Sequence, residues 1–397
     1  MCWKFLKTMT NIIRTLGTKE IGLESCRDSR KTNGICNLNK WVEFRKHMKK
    51  VFVNGYGSIG SRITSFLKDD PEISLIGIGK YSPDDDVKLA ISRGLNVYVP
   101  ERKLNDFNNF KISGTIESAL DDCDLVIDAA PGGVGYKNKK NLYEPKNLTV
   151  IYQGGETIVG DEAVSDLLFN SRANYDLALG KKHVMQGSCN VTGMGRILEP
   201  LRDRFGERLI RFDVTLVRRW ADIEQTEKKV TDTIEMTESP HHGDDVKTYF
   251  GKDAPLFVRA IKVPTRQMHL HIMDIRFNGI APKPSEIHEI FTNEFGVATL
   301  WTAKGTKDVR DYATSMGFNF TDTNMIHIHA NMTVSIGDTV QMMYSDDQTG
   351  IVIPENHMLL QAMLFGKSYK DAFFHTESIF KMNEKKQKLE KQFAKKN

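Results

Sequence analysis

Lys50-Val51-Phe52-Val53-Asn54-Gly55-Tyr56-Gly57-Ser58-Ile59-Gly60 decides how the rest of this chain is read. Val51, Phe52 and Val53 form a short apolar run of the kind that makes a strand buried on both faces. The glycines that follow stand at G-x-G-x-x-G spacing, and Ser61 to Lys68 then carries Ile63, Phe66 and Leu67 on one helical face. Ile73 to Ile78 is a second strand run. Strand, glycine turn, helix and strand in this order make a βαβ unit of the doubly wound kind. Gly55 permits the tight turn, Gly57 lets the backbone approach a pyrophosphate, and Gly60 lets the helix pack closely on the strand. The helix N-terminus offers free N–H groups and a partial positive charge to the phosphates.

Working outward, Asp124 to Ala130 and Leu148 to Tyr152 read as further parallel strands. Ala130-Pro131-Gly132-Gly133-Val134-Gly135 follows the first of them, at a strand end that would line the ligand crevice. These small residues either admit a cofactor closely or make a tight loop. The second strand ends in Gly79-Lys80-Tyr81-Ser82, with no carboxylate before Asp84. An NAD-selective site places Asp or Glu there to hold the ribose 2′-hydroxyl. Lys80 and Ser82 suit a 2′-phosphate instead, so NADP is expected to bind at least as tightly as NAD.

The texture changes near residue 185. Segments 208–219, 257–264 and 269–277 alternate or cluster β-branched residues, with helical runs at 193–205 and 283–295. This half reads as α+β, an open mixed sheet covered on one face by helices. From about Gln348 the chain returns to helix, over His357 to Leu364 and then Tyr369 to Ala394. The expected organisation is a basic N-terminal extension over 1–47, a doubly wound (Rossmann) nucleotide-binding domain over 48–187 completed by 347–397, and a catalytic domain over 188–346.

Composition narrows the class. The chain has 397 residues, 40% of them hydrophobic and 27% charged, which suits two soluble domains. It holds no run of eighteen apolar residues, so no membrane-spanning helix is expected. Residues 1–50 carry twelve Lys/Arg against four Asp/Glu, or +8 of a net +4, so the body is mildly acidic. That argues against a nucleic-acid-binding core. Residues 384–397, with six Lys and two Glu, read as a solvated helix face. Cys2, Cys26, Cys36, Cys123 and Cys189 form no C-x-x-C pair, and a reducing, cytoplasmic setting is expected.

The chemistry is read from His183 to Gly193, where a strand runs into the small-residue turn Gly187-Ser188-Cys189-Asn190 and then an amphipathic helix from Thr192. A cysteine at a helix N-terminus has its thiolate stabilised by the dipole and free N–H groups, which draws its pKa from about 8.5 toward neutrality. Cys189 is therefore the candidate nucleophile, with nearby N–H groups as an oxyanion hole. Met268-His269-Leu270-His271 sits in a β-type run, so His269 and His271 share a face, and one of them can move the proton. No third ligand with metal spacing accompanies them, and no metal is expected. His241-His242-Gly243 and Arg218-Arg219 supply groups suited to phosphate recognition.

Taken in order, Val53 to Gly60, Pro131 to Asn138, Ser188-Cys189-Asn190, Val217 to Asp222, Ser239 to Gly243, Val263-Pro264-Thr265 with Met268 to His271, and Gln348 to Asn356 resemble the archaeal type of phosphorylating glyceraldehyde-3-phosphate dehydrogenase. The resemblance runs from about Lys50 to Phe373. It implies a two-domain subunit, a homotetramer, NADP or NAD as cofactor, and the oxidation of a phosphorylated aldehyde with inorganic phosphate in glycolysis or gluconeogenesis. By position it implies Cys189 as nucleophile and His269 as general base, with Ser188, Asn190, His241 and His242 at the substrate. Ser58, Ile59, Gly133, Arg219 and Gln348 would lie at the cofactor, with Gly55, Gly57, Gly60 and Lys80 already assigned there. The sequence departs from the pattern at Val191, at Trp220 and in the charged run Glu224 to Asp232. The competing expectations are an aspartate-semialdehyde or acyl-phosphate reductase of similar build, and a catalytically silent nucleotide-binding protein.

Overall fold

The computed structural model describes residues 48–238 and 240–395. The basic extension over 1–47, Ser239 of the histidine loop and the last two residues of the lysine-rich end lie outside the described residues. Val51, Phe52 and Val53 have no solvent exposure and form the middle of strand β1 (Lys49–Asn54). The first sheet continues with β2 (Ile73–Gly79), β3 (Val97–Val99), β4 (Gly114–Thr115), β5 (Leu125–Asp128), β6 (Thr149–Tyr152), β7 (Leu168–Phe169) and β8 (His183–Gln186). Its order is β4-β3-β2-β1-β5-β6-β8-β7, and every pairing in it is parallel. The chain direction across the sheet reverses between β1 and β5, which opens a crevice at their C-terminal ends. Helix α1 (Ser58–Asp69) leaves β1 at that crevice and starts three residues earlier than its apolar face indicated.

The second sheet comprises β9 (Leu209–Arg219), β10 (Glu235–Thr237), β11 (Leu256–Val263), β12 (His269–Phe277), β13 (Val297–Leu300), β14 (Ile326–His329), β15 (Val334–Ile336) and β16 (Thr339–Asp346). Its order is β10-β11-β9-β12-β16-β14-β13, with β15 on β16, and it mixes parallel with antiparallel neighbours. Helices α2 (Cys189–Phe205) and α3 (His242–Phe250) cover one face of it. The expected architecture, a doubly wound parallel sheet joined to a mixed sheet with helices on one side, is the one found.

Period-two alternation aims the site. His269, His271, Met273, Ile275 and Phe277 are the buried face of β12, so the two histidines extend the row of core side chains. The mostly apolar helix α4 (Val352–Phe365) is buried over Val352 to Met363 and packs on β6, β8 and α1. Its one carboxylate, Glu355, accepts from Arg196 of α2 at 2.7 Å and from the Ser171 hydroxyl at 2.7 Å, which ties the two sheets' helices together. Helix α5 (Tyr369–Phe380) lies on α4 and α1. The expected single helix over Tyr369 to Ala394 is broken at Lys381, whose backbone is left-handed (φ 52). After that break α6 (Met382–Gln392) turns away from the nucleotide-binding sheet, where 347–397 was expected to remain, and packs on β13 of the second sheet. Met382, Leu389 and Phe393 bury there with Ala298 and Leu300 in a small second core, so apolar contact decides the departure.

Candidate active site

The crevice at the end of β1 carries the three glycines in three different surroundings. A Cβ on Gly55, whose φ is +125°, would stand 2.5 Å from the Ala129 carbonyl oxygen. One on Gly60 would meet the Gly55 carbonyl oxygen at 2.2 Å, so helix and strand touch there. One on Gly57 would meet nothing within 4 Å. The turn is thus tight, closely packed and open at the successive positions that a pyrophosphate-binding turn needs. Ser58 and Ile59 form the first turn of α1 above that opening, where unpaired N–H groups face outward. Below it, Asp128 of β5 accepts from Tyr143 Oη at 2.7 Å, Asn138 Nδ2 at 2.8 Å and the Ala130 N–H at 2.9 Å. Asn54 Nδ2 donates to the same tyrosine at 2.6 Å, which braces the ends of β1 and β5.

Other expected cofactor residues are placed less simply. Gly133 has φ +81° and an open Cα, but its N–H and that of Gly135 both donate to Glu156 Oε1 at 2.9 Å. Lys80 directly follows β2, as expected, but its ammonium is held by Asp84 at 2.8 Å and Asp86 at 3.4 Å. Arg219 ends β9 with Nε donating to Asp222 at 2.7 Å. Gln348 follows β16, buried, with both amide atoms unpartnered among the described residues.

The chemical cluster forms where the C-terminal ends of β9 and β16 meet the N-terminal end of β12. In register, His269 faces Asp346 and Leu270 faces Val217. Helix α2 begins at Cys189 rather than at Thr192, because Ser188 acts as its cap and accepts the Val191 N–H. That puts Cys189 in the first turn, half-buried. Its thiol nevertheless does not acidify. Burial, with Asp346 second, pushes it up to about 12, against the opposing pull of Arg219 and Arg218. The expected drop toward neutrality is therefore corrected: desolvation of a thiolate, with Asp346, outweighs the two arginines here.

Asn190, the next residue, is buried and joins two histidines. Its Nδ2 donates to His242 Nε2 at 3.2 Å, and its Oδ1 accepts from His271 Nε2 at 3.0 Å. Tyr344 Oη donates to His271 Nδ1 at 2.6 Å, which fixes that ring and leaves it no free nitrogen. His271 is thus a brace. His242 is buried and neutral, its pKa lowered to about 3 by burial and by His241, and its Nδ1–H has no partner. His241 differs: its side chain is 64% exposed and hydrogen-bonded to Asp245 at 2.6 Å, which raises its pKa.

His269 is fully buried, and burial with the neighbouring Arg219 holds its pKa well below the usual histidine value. The Arg219 N–H donates to its Nδ1 at 3.1 Å, so the neutral ring carries its proton on Nε2. The residue before it, Met268, has a left-handed backbone (φ 59), a strained conformation for a side chain of that size.

Two further groups stand out: Arg218, read from the sequence with Arg219 as suited to phosphate recognition, and Asp346, which the sequence did not single out. The Arg218 guanidinium is half-buried, has an unpartnered Nε and takes part in no ion pair among the described residues. Its charge acts on Cys189, His241, His242 and His269 alike, which places it among them. Asp346 is buried with both oxygens unpartnered, 3.3 Å from His271 Nε2, and burial beside Asp347 pushes its carboxyl well above the usual range. Strand alternation was the available signal for Arg218, since it continues the row of Phe212, Val214 and Leu216 on the buried face of β9.

No family model matches the chain. Curated proteins do. A glyceraldehyde-3-phosphate dehydrogenase of Methanothermus fervidus is 33% identical over 327 residues, covering 80% of this chain and 94% of its own length. That of Haloarcula marismortui is 33% identical over 323 residues, 80% of this chain and 89% of its own. That of Pyrobaculum islandicum is 32% identical over 326 residues, with 80% and 92% covered.

Proposed function

Because the chain belongs to the glyceraldehyde-3-phosphate dehydrogenase family, with its NAD(P)-linked dehydrogenase chemistry, we propose that it oxidises D-glyceraldehyde 3-phosphate to 1,3-bisphosphoglycerate with NADP or NAD, and catalyses the reverse. The observation that carries this reading is the cluster at the start of α2. There a nucleophile candidate, Cys189, is followed by Asn190 bound to His242 and His271, with the unpaired Arg218 guanidinium among them. The open Gly57, the first turn of α1 and the orphaned Gln348 amide fit a dinucleotide, and Ser58, Ile59, Gly133 and Gln348 would hold it. When bound, that group supplies the hydride acceptor.

The residues' own steps follow from their protonation. Cys189 is a neutral thiol at rest, so it loses its proton only as it attacks the aldehyde carbon. His269, with its proton on Nε2, donates toward the aldehyde oxygen as charge builds there. This recasts the resting ring as a donor where a proton acceptor was expected. The thiol proton ends on that oxygen, and as hydride leaves the thiohemiacetal carbon the hydroxyl proton passes to solvent, which leaves a thioester on Cys189. Inorganic phosphate attacks the thioester carbon, the C–S bond breaks, and an acyl phosphate leaves with the thiol restored. Arg218 and the His242 Nδ1–H are the groups available to bind phosphate oxygens. Ser188 and Asn190 position the cysteine from either side. We further propose a homotetramer, for which exposed Met236, Ile234 and Phe257 beside β10 and β11 offer apolar contact surface.

The test is NAD(P)H formation from glyceraldehyde 3-phosphate with and without inorganic phosphate, in wild type and Cys189→Ala. Turnover is expected to require phosphate and to fall by about 10³-fold or more in the variant. A rate indifferent to phosphate would replace acyl-phosphate release by hydrolysis. Activity only with aspartate semialdehyde would assign Arg218 to a carboxylate instead.

A further inference from the structure

On the side of α1 away from the crevice, three side chains from three helices converge. Asp70 caps the C-terminus of α1, His357 lies in α4 and His375 in α5. We propose that Asp70, His357 and His375 bind a divalent transition ion of the zinc class, with Gln361 as fourth donor. One donor atom from each of the three lies within 4.8 Å of the other two. The Asp70 carboxylate uses both oxygens: Oδ2 is 3.0 Å from His357 Nε2 and Oδ1 is 3.3 Å from His375 Nε2.

Gln361, one turn beyond His357, brings its amide nitrogen within 3.3 Å of His357 Nε2 and 3.4 Å of Asp70 Oδ2, while its buried Oε1 has no partner. A half-turn of that amide exchanges nitrogen for oxygen and aims the orphaned acceptor into the cluster. Tetrahedral zinc with bonds of about 2.0–2.1 Å has donors about 3.3 Å apart, close to the individual contacts of Asp70 and Gln361, and the 4.8 Å span of the three donor atoms would close around an ion. Two imidazoles, a carboxylate and an amide oxygen are a donor set for zinc, cobalt or nickel rather than for magnesium or calcium.

The surroundings are those of a ligating pair. The far nitrogen of His357, Nδ1, is held by Thr376 Oγ1 at 2.7 Å, while His375 Nδ1 lies 3.3 Å from Glu72 Oε2 and accepts from the Lys367 ammonium at 2.8 Å. Such outer partners fix both rings, and the near nitrogen of His375 gives up its proton when an ion binds. Lys367 sits on the outer side, 2.5 Å from Glu72 and 2.8 Å from His375 Nδ1, where it holds the supporting carboxylate. Phe66 and Phe380 wall His357 with ring centroids at 5.4 and 5.8 Å, and the 13% exposure of the His375 side chain gives the way in. The ion would pin the far end of the cofactor helix to α4 and α5.

Full-length protein stripped with a chelator and titrated with Co2+ in a Cys189→Ala background, which removes the competing active-site thiol, tests this. One equivalent with visible tetrahedral d–d bands and no thiolate charge-transfer band is expected. Zn2+ at about 100 times its Kd should raise Tm by about 5 °C. Gln in place of His375 should weaken either ion by about 100-fold. Absence of the bands in that background overturns the proposal without any change to the cluster, and so does a band undiminished in His375→Gln. Either result leaves the carboxylate bridged to its two imidazoles by protons alone.

Discussion

Two helices in this molecule begin at strand-to-helix turns built of small residues, and they present their N-termini to different worlds. The first turn of α1 opens over Gly57, an exposed residue with empty space where a Cβ would be. The first turn of α2 holds Cys189 among Asn190, Asp346 and two arginines, and there the thiol is pushed up to about 12. Both termini carry the same partial charge, worth about 1 kcal/mol to a nearby anion. At α1 that charge meets a groove which a diffusible phosphate can enter with its hydration partly kept. At α2 it meets a side chain whose ionised form must give up water first, and the desolvation wins. A helix N-terminus is therefore open to an incoming anion in one half and only a weak aid to ionisation in the other.

The largest expected effect separates packing from access at α1. Gly60→Ala puts a methyl 2.2 Å from the Gly55 carbonyl oxygen, and backbone cannot yield there as a side chain tip can. We expect a loss of about 3 kcal/mol of stability, with Tm lower by several degrees and cofactor binding lost with it. Gly57→Ala meets nothing within 4 Å, so its Tm should equal the wild-type value while dinucleotide affinity falls about tenfold. Thermal melts alongside cofactor titration check both. Equal Tm values for the two variants would break the distinction between a packing glycine and an access glycine.

The contrast also explains which parts were legible in the amino-acid sequence. The βαβ unit could be read because its strand, turn and helix are contiguous and each glycine has a local reason. His269 and His271 could be placed on one face because strand alternation is local too. What those histidines do was hidden, since it depends on partners 73 and 81 residues from His271, Tyr344 and Asn190. The start of α2 was missed by three residues although Ser188 is a good cap, because the apolar face begins later than the helix does. The move of α6 to β13 follows a left-handed Lys381 that no glycine or proline announces. The Asp70–His357 pair spans 287 residues and has no spacing signature at all.

The second prediction tests the α2 side of the comparison. With the thiol near 12 in the free protein, its thiolate fraction is small across the neutral range and grows as pH rises. The rate of Cys189 carboxamidomethylation by iodoacetamide should therefore climb about tenfold per pH unit from pH 7 to 10 without levelling. His269 and His242 are both held neutral, so no inflection near pH 6.5 should be superimposed. Peptide mass analysis of alkylated Cys189 gives the rate. A plateau reached by pH 7 would mean that the helix terminus and arginines dominate after all, and would make the two termini alike.

The smallest effect belongs to Lys80, where the α1 groove meets the end of β2. Its ammonium lies 2.8 Å from Asp84 and 3.4 Å from Asp86, both partly exposed. A 2′-phosphate can recruit Lys80 only in competition with those carboxylates, which already neutralise it. NADP preference built on this residue is accordingly modest, and the carboxylates hold Lys80 in place for whichever ribose arrives. Lys80→Ala should change stability by less than about 1 kcal/mol, since an ion pair with exposed partners contributes little. It also leaves two uncompensated carboxylates beside the ribose, so the ratio of kcat/KM for NADP over NAD should fall roughly five-fold. The sign is the discriminating result. A ratio that rises would show Lys80 to be a spacer holding Asp84 away from the nucleotide, and an unchanged ratio would move recognition of the 2′ position to another residue of the groove.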